Sequence, residues 1–327
     1  MSQRFVSLVG AFALFGYPAR SADAPPAPTV VVRAEADSER APHGHGNVYA
    51  PDILRFGNAY YMWFGGQGQD GHDRIHLTVS SDGLEWEQRG VVLEDPSANH
   101  CNDPSVVNAN GVLFMFYTRA ASGVTDEVAV ATSTDGEHWR LRGTALAAGQ
   151  PGAWNSLSVG RPSVLFSDGL FRMWYDGRKD LPSNAPDPKA PKSNRSQRHV
   201  GYATSRDGIH WERHGREPVY DHDAGGVHVL PIAGHLVMMI EGRAGTDAAT
   251  SDDGIHWHRI GLLLPRAELP AERHGHVTPF LLADPDGAGA RLFYGAAAEP
   301  SWDANTIFVQ RLSDAQWRTL KSPEPGR

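Results

Sequence analysis

Three carboxylates in this chain stand where proton chemistry would need them: Asp52 in YAPDIL, Asp103 in NDPSVV and Glu241 in IEGR. When the aromatic runs YYMWF (from Tyr60), LFMFY (from Leu113) and FRMWY (from Phe171) are aligned, Pro51, Pro104 and Pro162 fall at one position. Beside that position stand Asp52, Asp103 and Arg161, whereas a site serving only the fold would repeat its residue type. Asp52 follows its proline and Asp103 precedes its own, so in ideal strands the two side chains point to opposite faces. Either can be the site residue, and both can be only if a bulge or bend intervenes. Glu241 is aligned with Phe64, Tyr117, Tyr175 and Tyr294. A carboxyl in apolar surroundings holds its proton toward neutral pH, so Glu241 is expected to act as an acid and an aspartate as its partner. The competing reading of Glu241 is an ion pair with Arg243. Asp176, in WYDGR with Arg178, is the reserve carboxylate, and Arg161 is expected to bind a ligand oxygen or to lower the pKa of the base.

The elements that must hold these groups are legible from a repeat. Ser-x-Asp-Gly-x-x-Trp occurs as SSDGLEW, STDGEHW, SRDGIHW and SDDGIHW around Asp82, Asp135, Asp207 and Asp253, and LSDAQWRTL, with Asp314 and Trp317, is a worn further copy. Each copy follows an apolar run, a turn, an aromatic run and a third apolar run, which is the grammar of short antiparallel strands. Units of about 50 residues with this grammar match propeller blades. The expectation is an all-β, five-bladed β-propeller with four antiparallel strands per blade, the blades near 48–95, 100–147, 158–221, 225–265 and 275–321 of a single domain, 41–327. Within a blade the heptads are turns between the third and fourth strands. Asp-Gly supplies the positive-φ turn, Ser and Asp cap backbone N–H groups, and Trp can wedge between blades. The heptads therefore serve the fold, and the chemistry belongs on the opposite face. Residues 180–198, rich in Pro, Ser and Lys, read as a polar surface insertion.

Composition narrows the function. A formal net charge of -8 argues against phosphate-rich partners, so no nucleic acid is expected. Residues 1–22, with Arg4 ahead of an apolar run and small residues at Ala19, Ser21 and Ala22, read as a cleaved signal peptide directing a secreted or periplasmic protein. No later run is long enough for a membrane span. Residues 23–40 read as a linker with a strand, TVVVRAEA, that can close the ring. Cys101 is the only cysteine, so no intrachain disulfide can form.

Over nearly the whole mature chain the sequence resembles the five-bladed β-propeller glycoside hydrolases, the groups of families 43, 32 and 130. The stretches carrying the likeness are YAPDIL with GNAYYMWF, NDPSVV, GRPSVLFSDGLFRMWYDGR, the SxDGxxW turns and IEGR. The resemblance implies cleavage of glycosidic bonds in oligo- or polysaccharides by two carboxylates, one protonating the leaving oxygen and the other activating water or attacking carbon. It implies Asp52, Asp103 and Glu241 as catalytic candidates and Asn102, Arg161, Asp176, Arg178, Arg243, Tyr49 and Trp154 as substrate-binding ones. IEGR departs from the family 43 pattern, where the acid precedes an inner strand.

Two His-x-His pairs, His43 with His45 and His274 with His276, enter adjacent units. His45 and His276 are the candidates for a divalent metal at the axis, although no cofactor is required for the carboxylate scheme. Tyr49, Trp154 and Trp302 can stack on sugar rings or pack in the core. A carbohydrate is the expected partner of a monomeric chain. A non-catalytic carbohydrate-binding propeller and a glycoside phosphorylase remain as alternatives.

Overall fold

The computed structural model describes residues 26–33, 46–120, 126–185, 189–298 and 304–323, and almost all regular structure in it is strand. The expected signal peptide, His43, His45 and Trp302 lie outside the described residues. Among the described residues no helix is long and apolar enough to cross a membrane.

The strands pair in successive antiparallel sets. Val48–Phe56, Ala59–Gln67, Asp73–Ser80 and Glu87–Leu93 form the first, and His100–Ala109, Val112–Ala120, Glu127–Ser133 and Arg140–Leu146 the second. A single parallel pairing, Asp73 with His100, joins these two sets into one sheet. The third set is Ser158–Ser167, Leu170–Arg178, His199–Ser205 and Glu212–Arg213, and the fourth is His228–Ile232, His235–Ile240, Gly245–Ser251 and His258–Pro265. The fifth holds Val277–Ala283, Ala290–Ala296 and Thr306–Arg311, completed at its outer edge by Thr29–Val32 from the other end of the chain. The worn heptad forms a helix, Asp314–Lys321, rather than a turn. LSDAQW lacks the glycine that a positive-φ turn needs, and Ser313 with Gln316 makes a capping box that starts the helix and buries Trp317 and Leu320.

Apolar side chains fill the spaces between consecutive sets. Trp63 and Leu77 of the first pack with Met115 and Tyr117 of the second, and Phe116 with Met173 joins the second to the third. Trp174 with Met238, and Val237 with Leu292, continue the series. Val48, Met62 and Phe64 of the first then pack with Phe280 and Phe293 of the fifth. Each such buried side chain contributes roughly 1.5–3 kcal/mol.

The heptads act as wedges between these sets. In each, the serine hydroxyl accepts the glycine N–H and the aspartate Oδ1 accepts two further backbone N–H groups, as Asp207 does from Ile209 at 2.9 Å and His210 at 2.8 Å. The Gly136 carbonyl accepts from its own Trp139 and from Trp63 of the preceding set, and Gly254 does the same with Trp257 and Trp174. Gly83 of the first set accepts from Arg291 of the fifth.

Candidate active site

The site is built on one backbone irregularity repeated in or just ahead of each set's first strand. Ala50, Asp103, Arg161, Gly226 and Thr278 all have positive φ, and pairing register shifts beside four of them, between Tyr49 and Asp52, Asn102 and Ser105, Gly160 and Ser163, and Val277 and Phe280. Four of the five precede Pro51, Pro104, Pro162 and Pro279, although a residue before proline normally stays extended. Holding a non-glycine residue left-handed costs about 1–2 kcal/mol, strain of the kind found where a backbone must aim a side chain. The bulge resolves the conflict between the two aspartates: Asp103 sits at the left-handed position, and Asp52 two residues further along its own strand's register, level with Ser105, Ser163, His228 and Phe280.

These two registers have separate tasks. At the level of Asp52, each strand latches to the next: Asp52 Oδ2 accepts the Val106 N–H at 3.0 Å, Ser105 Oγ that of Val164 at 3.0 Å, Ser163 Oγ that of Val229 at 2.8 Å, and His228 Nδ1 that of Leu281 at 3.0 Å. Phe280 has no acceptor, and its ring stacks on His228 at 4.0 Å instead. At the level of Asp103, the next sheet's bulge N–H is caught by a side chain from the second strand. Thr118 accepts from Arg161 at 2.7 Å, Asp176 from Gly226 at 3.0 Å and Glu241 from Thr278 at 3.0 Å. Glu241 therefore shares the register of Thr118 and Asp176, and Ile240 takes the place of the tyrosines, which corrects the alignment by one residue. This one-residue step is visible only from the hydrogen bonds between sheets, because IEGR offers no aromatic anchor. At this register the first and fifth sets carry Gly65 and Gly295, where a Cβ would meet Tyr49 at 3.4 Å and 3.1 Å.

A cavity of about 520 Å³ opens at this level, at the ends of the second strands and the starts of the first and third, the face opposite the heptads. Asp103, Arg161, Arg178, Arg198 and Glu241 form one wall, and Tyr49, Asp73, His100 and Asn102 the other. On the first wall Asp176 is buried behind Arg161, with Nε to Oδ2 at 2.6 Å, and 3.5 Å from Arg198. Burial alone would raise the Asp176 pKa, but Arg161 and Arg198 outweigh it and hold the carboxyl below its ordinary range. Arg198 also pairs with Glu241 Oε1. Both Glu241 oxygens are thus engaged by donors, and Arg198 is an ion-pair partner of Glu241. Asp103 is different: among the described residues it makes no ion pair, and burial pushes it up to about 7, with Arg161 and Thr118 offsetting part of this and Asp176 and Glu241 adding to it. The Arg178 guanidinium forms no hydrogen bond or ion pair among the described residues, and burial, then the neighbouring Arg161 and Arg198, push it down to about 10.

On the second wall one oxygen, Asp73 Oδ2, receives His100 Nδ1 at 2.8 Å, Tyr49 Oη at 3.1 Å and Asn102 Nδ2 at 3.3 Å. The Asp73 hydrogen bond raises the His100 pKa. Asp73, His100 and Arg198 escaped the sequence reading. Asp73 opens a third strand that was aligned only at its heptad end, and Arg198 closes the segment taken as surface insertion, whose Leu181–Pro182 and Lys192–Ser193 pair with each other before the chain turns inward.

The remaining candidates fall elsewhere. Asp52 lines a narrower cavity below Asp103, not the 520 Å³ one. Arg243 lines neighbouring cavities, and Trp154 stacks on Tyr175 at 6.0 Å, away from the cavity. His276 is wholly buried, with Nδ1 against Thr246 at 2.9 Å and Nε2 against Glu272 at 3.3 Å, so both ring nitrogens are committed and neither is offered to a metal. Among the described residues no three His, Cys, Asp or Glu side chains converge as a metal site.

A family model described as a BNR repeat-like domain matches residues 57–277. A curated relative, 1,2-beta-oligomannan phosphorylase of Thermoanaerobacter sp. (strain X514), is 29% identical over 129 residues, 38% of this chain and 41% of the relative, so the match spans less than half of either. A solved structure named glycoside hydrolase superposes with a TM-score of 0.70 at 17% identity, covering 93% of both chains. Another, from work on glycoside hydrolases within the GH130 family of mannoside phosphorylases that target beta-1,2 mannosidic linkages in Candida mannan, gives 0.58 at 16% identity, covering 92% of this chain and 95% of the other. These likenesses establish the fold.

Proposed function

Because the chain belongs to the BNR repeat-like domain family and has the fold of propeller glycoside hydrolases, we propose that it cleaves glycosidic bonds in the 520 Å³ cavity, with Asp103 carrying the proton. The observation that carries this reading is the contrast between Asp103 and its neighbours. It is the wall carboxyl with no ion pair among the described residues, and burial pushes it up to about 7, so it holds a proton near neutral pH and can hand it to a leaving oxygen. Asp176, Glu241, Arg161 and Arg198 form the charged frame around it: the carboxylates disfavour its ionisation and Arg161 limits the shift. Glu241, anchored on Arg198 and Thr278, is the carboxylate best placed to act on the incoming nucleophile. The Asp73 wall supplies hydrogen-bonding groups for sugar hydroxyls. The architecture we propose is a five-bladed propeller, supported by the apolar packing that runs through successive strand sets and links the fifth with the first.

A second reading, phosphorolysis, is favoured by Arg178. A half-buried guanidinium with no partner among the described residues, beside Arg198, suits an oxyanion, and inorganic phosphate would then replace water as nucleophile. The oligomannan phosphorylase relative agrees with this reading. The test is to incubate the protein with β-1,2-linked mannosides, other oligosaccharides and aryl glycosides, with and without phosphate. Released sugar that depends on Asp103 supports glycoside cleavage, and sugar phosphate identifies phosphorolysis. Saturable binding without release would reduce the site to a carbohydrate receptor.

A further inference from the structure

The 520 Å³ cavity does not end at Glu241. A second cavity of about 390 Å³ shares Arg178, Arg198 and Glu241 with it, and a third of about 730 Å³ shares Arg243 and Ala244 with the second. Together they form a groove that leaves the proposed cleavage site across the end of the fourth strand set and reaches the segment leading into the fifth. Acids along its middle stretch are engaged: Glu241 by Arg198, Asp223 by the Arg198 backbone N–H, and Asp247 by Arg259. At the outer end the lining holds Arg243, Arg266 and Arg273 against one acid, Glu268. A chain of formal net charge -8 thus concentrates cations in this one hollow.

The backbone around these arginines is tightly laced. Arg243 stands in the turn after His235–Ile240, while Arg266 and Arg273 flank the short helix Pro270–Glu272. Gly242 and His276 exchange two backbone hydrogen bonds, at 2.9 Å and 3.2 Å, and the Arg266 N–H donates to the Ala244 carbonyl at 2.9 Å. Gly275 permits this approach: its φ is +105°, and a Cβ there would meet the Gly242 carbonyl oxygen at 2.5 Å. Glu272, the buried acid of the segment, turns inward, where it accepts the Ala267 N–H at 2.5 Å and the Tyr294 hydroxyl at 2.8 Å. Its charge therefore fixes the loop and does not neutralise the arginines. The Arg266 guanidinium donates to the Arg273 carbonyl, and neither arginine makes an ion pair among the described residues.

We infer that the outer groove is a subsite for an anionic unit of the glycan, so that the preferred substrate is an oligosaccharide carrying carboxylate or sulfate groups. This rests on the glycoside-cleavage reading: the bond to be cleaved lies in the 520 Å³ cavity, and the arginines hold a charged unit further along the same chain. The chemistry of the lining selects for charge. Sugar hydroxyls both donate and accept, whereas a guanidinium offers donors only, in a planar fork that matches the oxygens of an oxyanion. Arginines already held in place lose less freedom when the ligand arrives.

The test is binding, measured by calorimetry on the full chain at low salt. The probes are an oligogalacturonate and a sulfated galactose oligosaccharide, each beside its neutral counterpart, the methyl ester or the desulfated chain. The variants are Arg273→Gln and the double variant Arg266→Gln with Arg273→Gln, with thermal unfolding as a control. The parent is expected to bind at least one anionic probe about tenfold or more tighter than its neutral form. The double variant should lose about tenfold in that affinity and keep its affinity for the neutral form. The two arms identify carboxylate or sulfate as the group recognised. The Arg273 side chain makes no hydrogen bond or ion pair among the described residues, so Arg273→Gln alone decides the matter if the double variant unfolds. Failure of both anionic probes to bind, equal affinity for charged and neutral forms, or an anionic affinity indifferent to the substitutions overturns the subsite. Arginine-dependent binding with no cleavage of any probe leaves the subsite standing and removes the cleavage reading.

Discussion

Asp176 and Glu241 occupy the same register of neighbouring sheets, and each gives one carboxylate oxygen to the bulge N–H of the next sheet, Gly226 and Thr278 respectively, both at 3.0 Å. Arg198 reaches both carboxylates. The same groups thus hold adjacent sheets together and shape the electrostatics of the cavity, so mutations here should separate stability from turnover only partly.

Asp176→Asn shows this most plainly. It removes the carboxylate paired with the half-buried Arg161, and breaking a buried pair costs about 3–5 kcal/mol, which sets the upper end of the expected loss. Denaturant unfolding should register that loss, and a variant within about 0.5 kcal/mol of the parent would show that the ion pair contributes little.

Asp103→Asn should abolish sugar release, by at least about 1000-fold if Asp103 is the proton donor, without unfolding the protein. In the parent chain, activity should fall as pH rises through about 7, where Asp103 loses its proton. A rate that rises through this range would assign Asp103 the role of base instead.

The same residue has a signature in stability. Its native pKa of about 7 lies above the ordinary 3.8, so between these values the folded chain binds more protons than the unfolded one. The slope of unfolding free energy with pH is then negative: the protonated carboxyl is tolerated at low pH, and the burial penalty grows as pH rises toward about 7 and levels off above it. Stability of the parent minus that of Asp103→Asn should decline by on the order of a few kcal/mol across this window. A flat difference would show that Asp103 is not shifted.

Asp207→Ala removes the acceptor for the Ile209 and His210 N–H groups on the face away from the cavity. A loss of about 1–2 kcal/mol is expected, as for other backbone caps, with activity per folded molecule unchanged. Lost activity in the folded variant would bring the heptads back into the chemistry.

Arg178→Ala distinguishes the two cleavage readings. If phosphate is the nucleophile, formation of sugar phosphate should fall by about 10- to 100-fold while release by water is spared, since one charge-assisted contact to an anion contributes about 1.5–3 kcal/mol. Equal loss of both products would place Arg178 in sugar binding.

What the sequence alone determined is what depends on local chemistry repeated many times. Asp-Gly turns, Ser caps and alternating apolar runs act over a few residues, so Ser80 to Trp86 and its copies reveal strand order, the face that must not hold the site, and Asp103 and Arg161 beside their prolines. Only the tertiary structure decided the register across sheets. Left-handed residues at Ala50, Asp103, Arg161, Gly226 and Thr278, with register shifts beside four of them, bring residues of different local spacing to one level, because backbone pairing and not sequence distance fixes where a side chain points. It moved Glu241 to the level of Asp176, sent Asp52 below Asp103, and brought Asp73, His100 and Arg198 into the cavity. Such meetings depend on contacts between groups tens of residues apart, and the pKa of about 7 at Asp103 depends on that burial.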